Sequence, residues 1–251
     1  MNEKALVVLQ ARMSSTRFPG KVLEDLNGKP MLIRQIDRIR KARNISKIVV
    51  ATTEDQSDNV LTELLRINCV EYIRGSVDDV FSRFESLLSR EESTKIIRLT
   101  ADCPLVMPEL IDNMWLDFVE SDCDYLSNTL IPTFPDGLDV EIFSKNSLFS
   151  LSKLQLNEVE REHVTLGFHT RQEQFKVRNF GSHLNLSGYR WTVDYPEDLE
   201  FVRKVYSNFV GREDVFKFEE VLDFVKCNPG IQSSISGSRR NESLVNVKKR
   251  V

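Results

Sequence analysis

Lys4-Ala5-Leu6-Val7-Val8-Leu9 runs directly into Gln10-Ala11-Arg12-Met13-Ser14-Ser15-Thr16-Arg17-Phe18-Pro19-Gly20-Lys21. A short aliphatic run thus ends in a polar, basic loop. The same kind of run recurs at Lys47-Ile48-Val49-Val50-Ala51-Thr52 and at Lys95-Ile96-Ile97-Arg98-Leu99-Thr100. Runs of this length that are apolar without alternation read as strands covered on both faces, as parallel sheets require. Between the first two, Pro30 suits a first helical turn, and Leu32, Ile36 and Ile39 recur at helical spacing in a basic segment ending near Arg43. A second helix is expected from Ser57 to Asn68, then a strand at Val70-Glu71-Tyr72-Ile73. Val80, Phe81, Phe84, Leu87 and Leu88 share one face of a third helix, with Asp78 and Asp79 at its N-terminus, where carboxylates complement the dipole. Strand and helix therefore alternate through the first hundred residues, the pattern of a doubly wound α/β sheet whose ligands sit at the carboxyl ends of the strands.

From about residue 124 to 178 the alternation lapses into turns at Pro132, Pro135 and Gly137, a strand-like Leu138-Asp139-Val140-Glu141-Ile142-Phe143, and two helical stretches. We read this as a β/α insertion forming an acceptor-side wall or a subunit contact. Strand-like Phe175-Lys176-Val177 and Tyr189-Arg190-Trp191-Thr192-Val193 follow. Pro196 then opens a helix carrying Leu199, Val202 and Val205, and a last helix from Phe218 to Val225 stops before Asn228-Pro229-Gly230. The expected organisation is one domain over residues 1–230, with the insertion at about 124–178 and a polar, basic tail at 231–251.

Composition narrows the function. The 251 residues are 41% hydrophobic, enough for a substantial core, and the formal net charge of -4 offers no overall attraction to nucleic acid or to an anionic membrane. Any phosphate binding must be local. The tail is +4, which leaves the body at -8, and without interleaved aromatics it reads as a solvated segment rather than a nucleic-acid arm. Cys69, Cys103, Cys123 and Cys227 are widely spaced, with no Cys-x-x-Cys pair, and read as reduced structural thiols. The first apolar run is too short for a signal-peptide core or a membrane span, so a cytoplasmic location is expected.

Arg12, Arg17 and Lys21 share the first loop with no acidic residue. A triphosphate would satisfy that charge: arginine forks bind phosphate oxygens, Ser15 and Thr16 add hydroxyl donors, and Gly20 lets backbone N–H groups approach an anion. The chain has neither a Walker loop nor Gly-x-Gly-x-x-Gly, so an ATPase P-loop and a dinucleotide fingerprint are disfavoured. An ordinary solvated basic loop is the alternative. Asp102 follows the third buried strand directly, and Asp194 follows Arg190-Trp191-Thr192-Val193. Magnesium is held by one or two carboxylates together with substrate phosphates and water, which this pair could supply. For Asp194 taken alone, the competing role is a helix N-cap ahead of Pro196.

Ala11 to Lys21, followed by Leu26-Asn27-Gly28-Lys29-Pro30-Met31-Leu32, resembles the opening signature of the sugar-acid cytidylyltransferases, which include enzymes activating 3-deoxy-manno-octulosonate and the acylneuraminates. Thr100-Ala101-Asp102-Cys103-Pro104-Leu105, Pro135-Asp136-Gly137-Leu138-Asp139-Val140-Glu141, Glu160-Arg161-Glu162-His163-Val164 and Trp191-Thr192-Val193-Asp194-Tyr195-Pro196-Glu197-Asp198-Leu199 are most similar to the spore-coat-polysaccharide SpsF branch. The resemblance implies a Rossmann-like, GT-A-like nucleotidyltransferase fold with a mostly parallel sheet flanked by helices. It implies transfer of CMP from CTP to a sugar acid or related acceptor with release of pyrophosphate. Arg12, Arg17 and Lys21 would be catalytic. Gln10, Ala11, Arg12, Ser15, Thr16, Gly20, Lys21, Thr52, Thr53, Arg74 and Thr100 would contact the nucleotide, with Arg83 a further candidate. Asp102 and Asp194 would ligate Mg2+, and Asp136, Asp139, Glu141 and His163 would face the acceptor. A homodimer is also implied. One departure bears on the acceptor: the chain reads Ala101-Asp102-Cys103-Pro104 where the octulosonate enzymes carry a Gly-Asp-Glu-Pro type of sequence. Two rival readings are a glycosyltransferase using Asp122-Cys123-Asp124 as a metal motif, and a catalytically silent nucleotide-binding subunit.

Overall fold

A computed structural model describes residues 3–231. The strands are β1 (Ala5–Gln10), β2 (Ile45–Thr53), β3 (Glu71–Gly75), β4 (Lys95–Thr100), β5 (Tyr125–Ser127), β6 (Glu141–Ser144) and β7 (Val177–Asn179). They form one sheet in the order β3-β2-β1-β4-β6-β5-β7. Every neighbouring pair is parallel except the two that involve β6. The helices are α1 (Met31–Ile39), α2 (Asn59–Ile67), α3 (Val80–Leu88), α4 (Pro108–Glu120), α5 (Lys145–Ser152), α6 (Glu158–Glu162), α7 (Leu166–Thr170), α8 (Pro196–Asn208) and α9 (Phe218–Cys227).

The unbroken apolar run of β1 has a direct cause. Ala5, Val7 and Leu9 pack with α1, α2, α4, α8 and α9 on one face, while Leu6 and Val8 pack with α3, α5 and α7 on the other. Successive strand side chains point to opposite faces, so a strand covered on both must be apolar throughout. The first strand therefore sits in the middle of the sheet, with β2 at Val7↔Ile48 and β4 at Val7↔Ile97. Because the chain first winds outward to β3 and then returns to β4, the carboxyl ends of β1 and β4 flank a switch point, where open α/β sheets hold ligands.

The second half differs in detail from the sequence reading. Residues 124–178 contribute β5, β6 and the start of β7 to the same sheet, and α5, α6 and α7 lie within this span. The alternation lapses there because β6 runs antiparallel between β4 and β5 and needs no crossover helix. Tyr189–Val193 is not a strand. It joins its neighbours through an isolated bridge, Asp136↔Arg190, and through Trp191 N–H to the Asp136 carbonyl at 2.6 Å and Val193 N–H to the Asp102 carbonyl at 2.8 Å. Its apolar residues record the burial of Trp191 and Val193 in the main core, not a ladder. The tail lies outside the described residues from 232 onward. No helix of the described residues is long and apolar enough to cross a membrane.

Gly137 lets residues 191–193 cross close over the 135–137 turn. Its φ is 106°, and a Cβ there would stand 2.3 Å from the Thr192 backbone nitrogen. Only glycine lets the 135–137 turn lie against the Trp191–Thr192 backbone. Gly137→Ala is therefore expected to lower unfolding free energy by roughly 1–3 kcal/mol, the cost of one strained residue. Urea denaturation followed by far-UV circular dichroism measures it, and a variant with the wild-type midpoint would refute the packing account.

Candidate active site

A cavity of about 720 Å3 opens at the carboxyl ends of β1 and β4, within the size range of small-molecule sites. Gln10, Arg98 and Thr100 come from the strand ends and Arg12, Arg17 and Lys21 from the first loop. Asp102, Asp194 and Tyr195 line one side; Val80, Arg83, Glu162 and His163 line another.

The first loop is held by backbone bonds and one buried acid. The Met13 carbonyl accepts from Ser15 N–H and Gly20 N–H, both at 2.9 Å, and Gly20 turns at φ 76°. Met13 N–H donates to Asp58 Oδ1 at 2.7 Å. Asp58 Oδ2 accepts from Thr52 Oγ1 at 2.8 Å, Thr53 N–H at 2.9 Å and Thr53 Oγ1 at 2.5 Å. Burial opposes ionisation of Asp58, but the donors from Thr53, Met13 and Thr52 outweigh it and hold the carboxyl below its usual range. The loop is thereby pinned to the end of β2.

Lys21 closes the loop against a distant part of the chain. Its Nζ donates to the Val193 carbonyl at 2.6 Å and to Asp194 Oδ1 at 3.1 Å, and stands 3.9 Å from Asp102 Oδ2. The two aspartates thus converge on one ammonium, and their oxygens are separated by no more than the sum of the last two distances. Arg17 Nη2 reaches the same Asp194 Oδ1 at 2.9 Å. Arg190 Nη2 holds Asp194 Oδ2 at 2.9 Å. Burial raises the cost of the Asp194 charge, yet Lys21, Arg190 and Arg17 keep its pKa below the ordinary value. Asp194 does not cap α8. Asp198 Oδ2 does so by accepting Tyr195 N–H at 2.9 Å, and the same oxygen accepts Asp194 N–H at 2.8 Å.

The cytidylyltransferase family model matches residues 6–226. The chain belongs to the cytidylyltransferase family. As such it is a nucleotidyltransferase, and its fold matches solved enzymes of that kind. This cytidylyltransferase is 32% identical over 231 residues to the spore coat polysaccharide biosynthesis protein SpsF of Bacillus subtilis, covering 89% of this chain and 95% of the relative. A cytidylyltransferase structure from Leptospira borgpetersenii superposes with TM-score 0.86 at 31% identity, covering 91% and 96% of the two chains. The structure of CMP-2-keto-3-deoxy-manno-octonic acid synthetase complexed with CTP aligns at TM-score 0.64 and 19% identity over 82% of this chain and 99% of that one, a likeness of fold.

Several residues expected to touch the nucleotide or acceptor lie elsewhere in this cytidylyltransferase. Thr52 and Thr53 are fully buried on Asp58 and do not line the cavity. Arg74 is a backbone clamp: Nε donates to the Thr53 carbonyl, Nη2 to the Asp55 carbonyl and Nη1 to Asn59 Oδ1, each at 2.7 Å. Asp136 pairs with Arg190 Nη1 at 2.9 Å and stays outside the cavity lining. Asp139 is likewise outside the lining, near Cys103, whose thiol burial and the charges of Asp102 and Asp139 push well up. Asp122 pairs with Lys176, and Asp124 accepts from Ser147 Oγ and Lys176 N–H, both at 2.9 Å. The Asp-x-Asp triplet is therefore occupied with structural bonds away from the cavity.

Glu141 also lies outside the cavity lining. It is 8% exposed and accepts from Tyr125 OH, from Thr165 Oγ1 at 2.6 Å and from Arg98 Nη1. Arg98, its register partner on β4, is the residue that reaches the cavity, with Nε on Gln10 Oε1 at 2.5 Å. Burial opposes the Glu141 charge, but Arg98, Thr165 and Tyr125 keep its pKa low. The sequence reading missed Arg98 because a basic residue inside a strand run looks like an edge position. His163 does line the cavity, and burial lowers its pKa, which favours the neutral ring. The next residue, Val164, takes φ 41°, a costly conformation for a β-branched side chain, where the chain turns from α6 into α7. Arg83 also lines the cavity. It is 3% exposed, its Nε has no partner among the described residues, and burial and the Arg12 charge lower its pKa.

The lowered pKa of Glu141 stabilises the fold above the usual carboxylate range and loses that contribution as pH falls through the folded value. Glu141→Gln leaves Arg98 without its counter-charge, so the variant is expected to lose about 3 kcal/mol at pH 7. Its melting temperature should also fall less steeply than that of the wild type below the carboxylate range. Differential scanning calorimetry from neutral to acid pH checks both, and parallel acid limbs would remove the Arg98–Glu141 pair from the account.

Proposed function

We propose that this enzyme transfers CMP from CTP to an oxygen of a sugar acid or related sugar-type acceptor, releasing pyrophosphate, in the assembly of a surface polysaccharide or glycan. The observation that carries the reading is the convergence of Asp102 and Asp194 on Lys21, beside a loop whose other charges are Arg12 and Arg17. The CTP complex of the structural neighbour and the SpsF relative support the nucleotide and the pathway class.

In this reading the acceptor oxygen attacks the α-phosphorus in line, and the bond to the β,γ-diphosphate breaks. Negative charge grows on the departing phosphates. Arg12, Arg17 and Lys21 would meet it there, and groups oriented before the reaction stabilise such charge without reorganising. Gln10, Ala11, Ser15, Thr16, Gly20, Thr100 and Arg83 belong to the nucleotide side, and His163 to the acceptor side, with Arg98 a further candidate from the cavity lining.

Asp102 and Asp194 fit a hard divalent ion, because they offer oxygen donors alone and leave other positions to phosphate and water. Mg2+ held there would neutralise phosphate charge. Asp102 is aimed by its own neighbours: Thr100 Oγ1 donates to Oδ1 at 2.5 Å, while its carbonyl takes Val193 N–H. A single nucleotidyltransferase domain over residues 1–230, a cytoplasmic location and a homodimer complete the reading.

A pyrophosphate-release screen with each of the four nucleoside triphosphates against sugar acids and sugar phosphates tests it. Turnover is expected with CTP. Lys21→Ala and Asp102→Asn should each slow release by about 10²–10³-fold, the loss seen when one charge-stabilising donor is removed. Near-normal turnover in either variant, with unchanged circular dichroism, would defeat the assignment; release of a nucleoside diphosphate without pyrophosphate would point to glycosyl transfer.

A further inference from the structure

The proposed cation site is already filled by the protein's own charges. Asp194 Oδ1 holds Arg17 and Lys21, and Oδ2 holds Arg190. Among the described residues no group of three or more His, Cys, Asp or Glu is placed to hold a metal ion. Two carboxylates, one of them saturated by cations, make a poor site for a hard ion that seeks six or more oxygens.

A bound triphosphate changes this balance. Its oxyanions compete for Arg17 and Lys21, and each cation drawn off removes a unit charge from Asp194 Oδ1. A divalent ion arriving with the phosphates returns two charges to the same oxygen.

Arg190 takes no part in that exchange. It does not line the cavity, its side chain is 11% exposed, and its fork is fixed by Asp136 Oδ2 at 2.9 Å and by Asp198 at 3.2 and 3.3 Å. Asp198 is in turn held by the N–H groups of Asp194 and Tyr195. We infer that Arg190 is the positioning residue for Asp194: it keeps Oδ2 fixed so that Oδ1 passes from Arg17 and Lys21 to a divalent ion that binds only together with the nucleotide. This rests on the triphosphate reading above. Partners of this kind, one shell behind a ligand, orient it and tune its affinity for the ion.

Mn2+ is the probe, read by water proton relaxation on the full chain. The wild type should show no tightly bound Mn2+ alone and a distinct ternary complex with CTP. Arg190→Gln should weaken Mn2+ in that complex by about 10–100-fold, while CTP binding measured in chelator stays unchanged. Arg190→Lys, which restores a charge but not the fork, should recover part of the loss, and if Arg190→Gln does not fold, Arg190→Lys against wild type decides. Asp136→Asn removes one carboxylate of the cluster without touching Asp194. It should lower thermal stability and weaken Mn2+ binding far less than Arg190→Gln does, because Asp198 still holds the Arg190 fork. Tight Mn2+ binding without nucleotide, or a folded Arg190→Gln with wild-type affinity, overturns the inference. So does an Asp136→Asn loss as large as that of Arg190→Gln. A wild type that binds no CTP removes the proposed function instead, and the inference with it.

Discussion

The ammonium of Lys21 joins two parts of the chain that are 172 residues apart, through the Val193 carbonyl at 2.6 Å and the Asp194 carboxylate at 3.1 Å. Lys21 is 7% exposed, so this is a buried cation and not a surface contact. Removing such a charge from water is costly unless hydrogen bonds and counter-charges replace the hydration. Here the requirement is met by a carbonyl that could not be there without the crossing of Trp191–Val193 over the sheet end. That crossing in turn needs Gly137 beneath it and the Asp102 carbonyl beside it. The position of one lysine thus depends on a turn, a strand end and an extended segment from three separate regions of sequence.

Electrostatic function at this site is local. The chain as a whole is at -4, yet the cavity gathers Arg12, Arg17, Lys21, Arg83 and Arg98 against Asp102, Asp194 and Glu162. The cations differ in what restrains them. Lys21 and Arg98 have carboxylate partners, whereas Arg83 Nε is buried with no hydrogen-bond partner among the described residues. A buried donor left without a partner carries a desolvation cost. An oxyanion in the cavity would relieve it, which is the sense in which the basic loop and α3 act together.

The first half of the fold was legible because parallel strands covered on both faces must be apolar without alternation, and few other structures impose that. The pairing of Asp102 with Asp194 was legible for a related reason: a carboxylate at the end of a buried segment has rigid backbone behind it and open space ahead. Tyr189–Val193 shows the limit of that reasoning. Burial of Trp191 and Val193 produces the same residue pattern as a strand, but pairing with a neighbour is a tertiary fact that the pattern does not contain. β6 was read as a strand but its antiparallel direction was not, and β5 escaped altogether, since a strand of three residues has no period long enough to read.

Four of the expected site residues lie off the cavity lining for a shared reason. Thr52, Thr53, Arg74 and Glu141 all lie on strands at or near the ligand-binding edge, so proximity in sequence placed them correctly along the strand. What sequence does not reveal is which partner each polar atom meets. A buried hydroxyl or carboxylate needs its bonds satisfied more than it needs a ligand. Asp58 collects the two threonines, and Arg98 collects Glu141. In each case the buried carboxylate turns away from the cavity and a neighbour faces it instead: the loop pinned at Met13 N–H in the first, the guanidinium of Arg98 in the second. Polar residues at strand ends therefore divide into those that line the cavity and those that hold them. The division is decided by which donors and acceptors the interior leaves unpaired, and that count can be made only once the chain is folded.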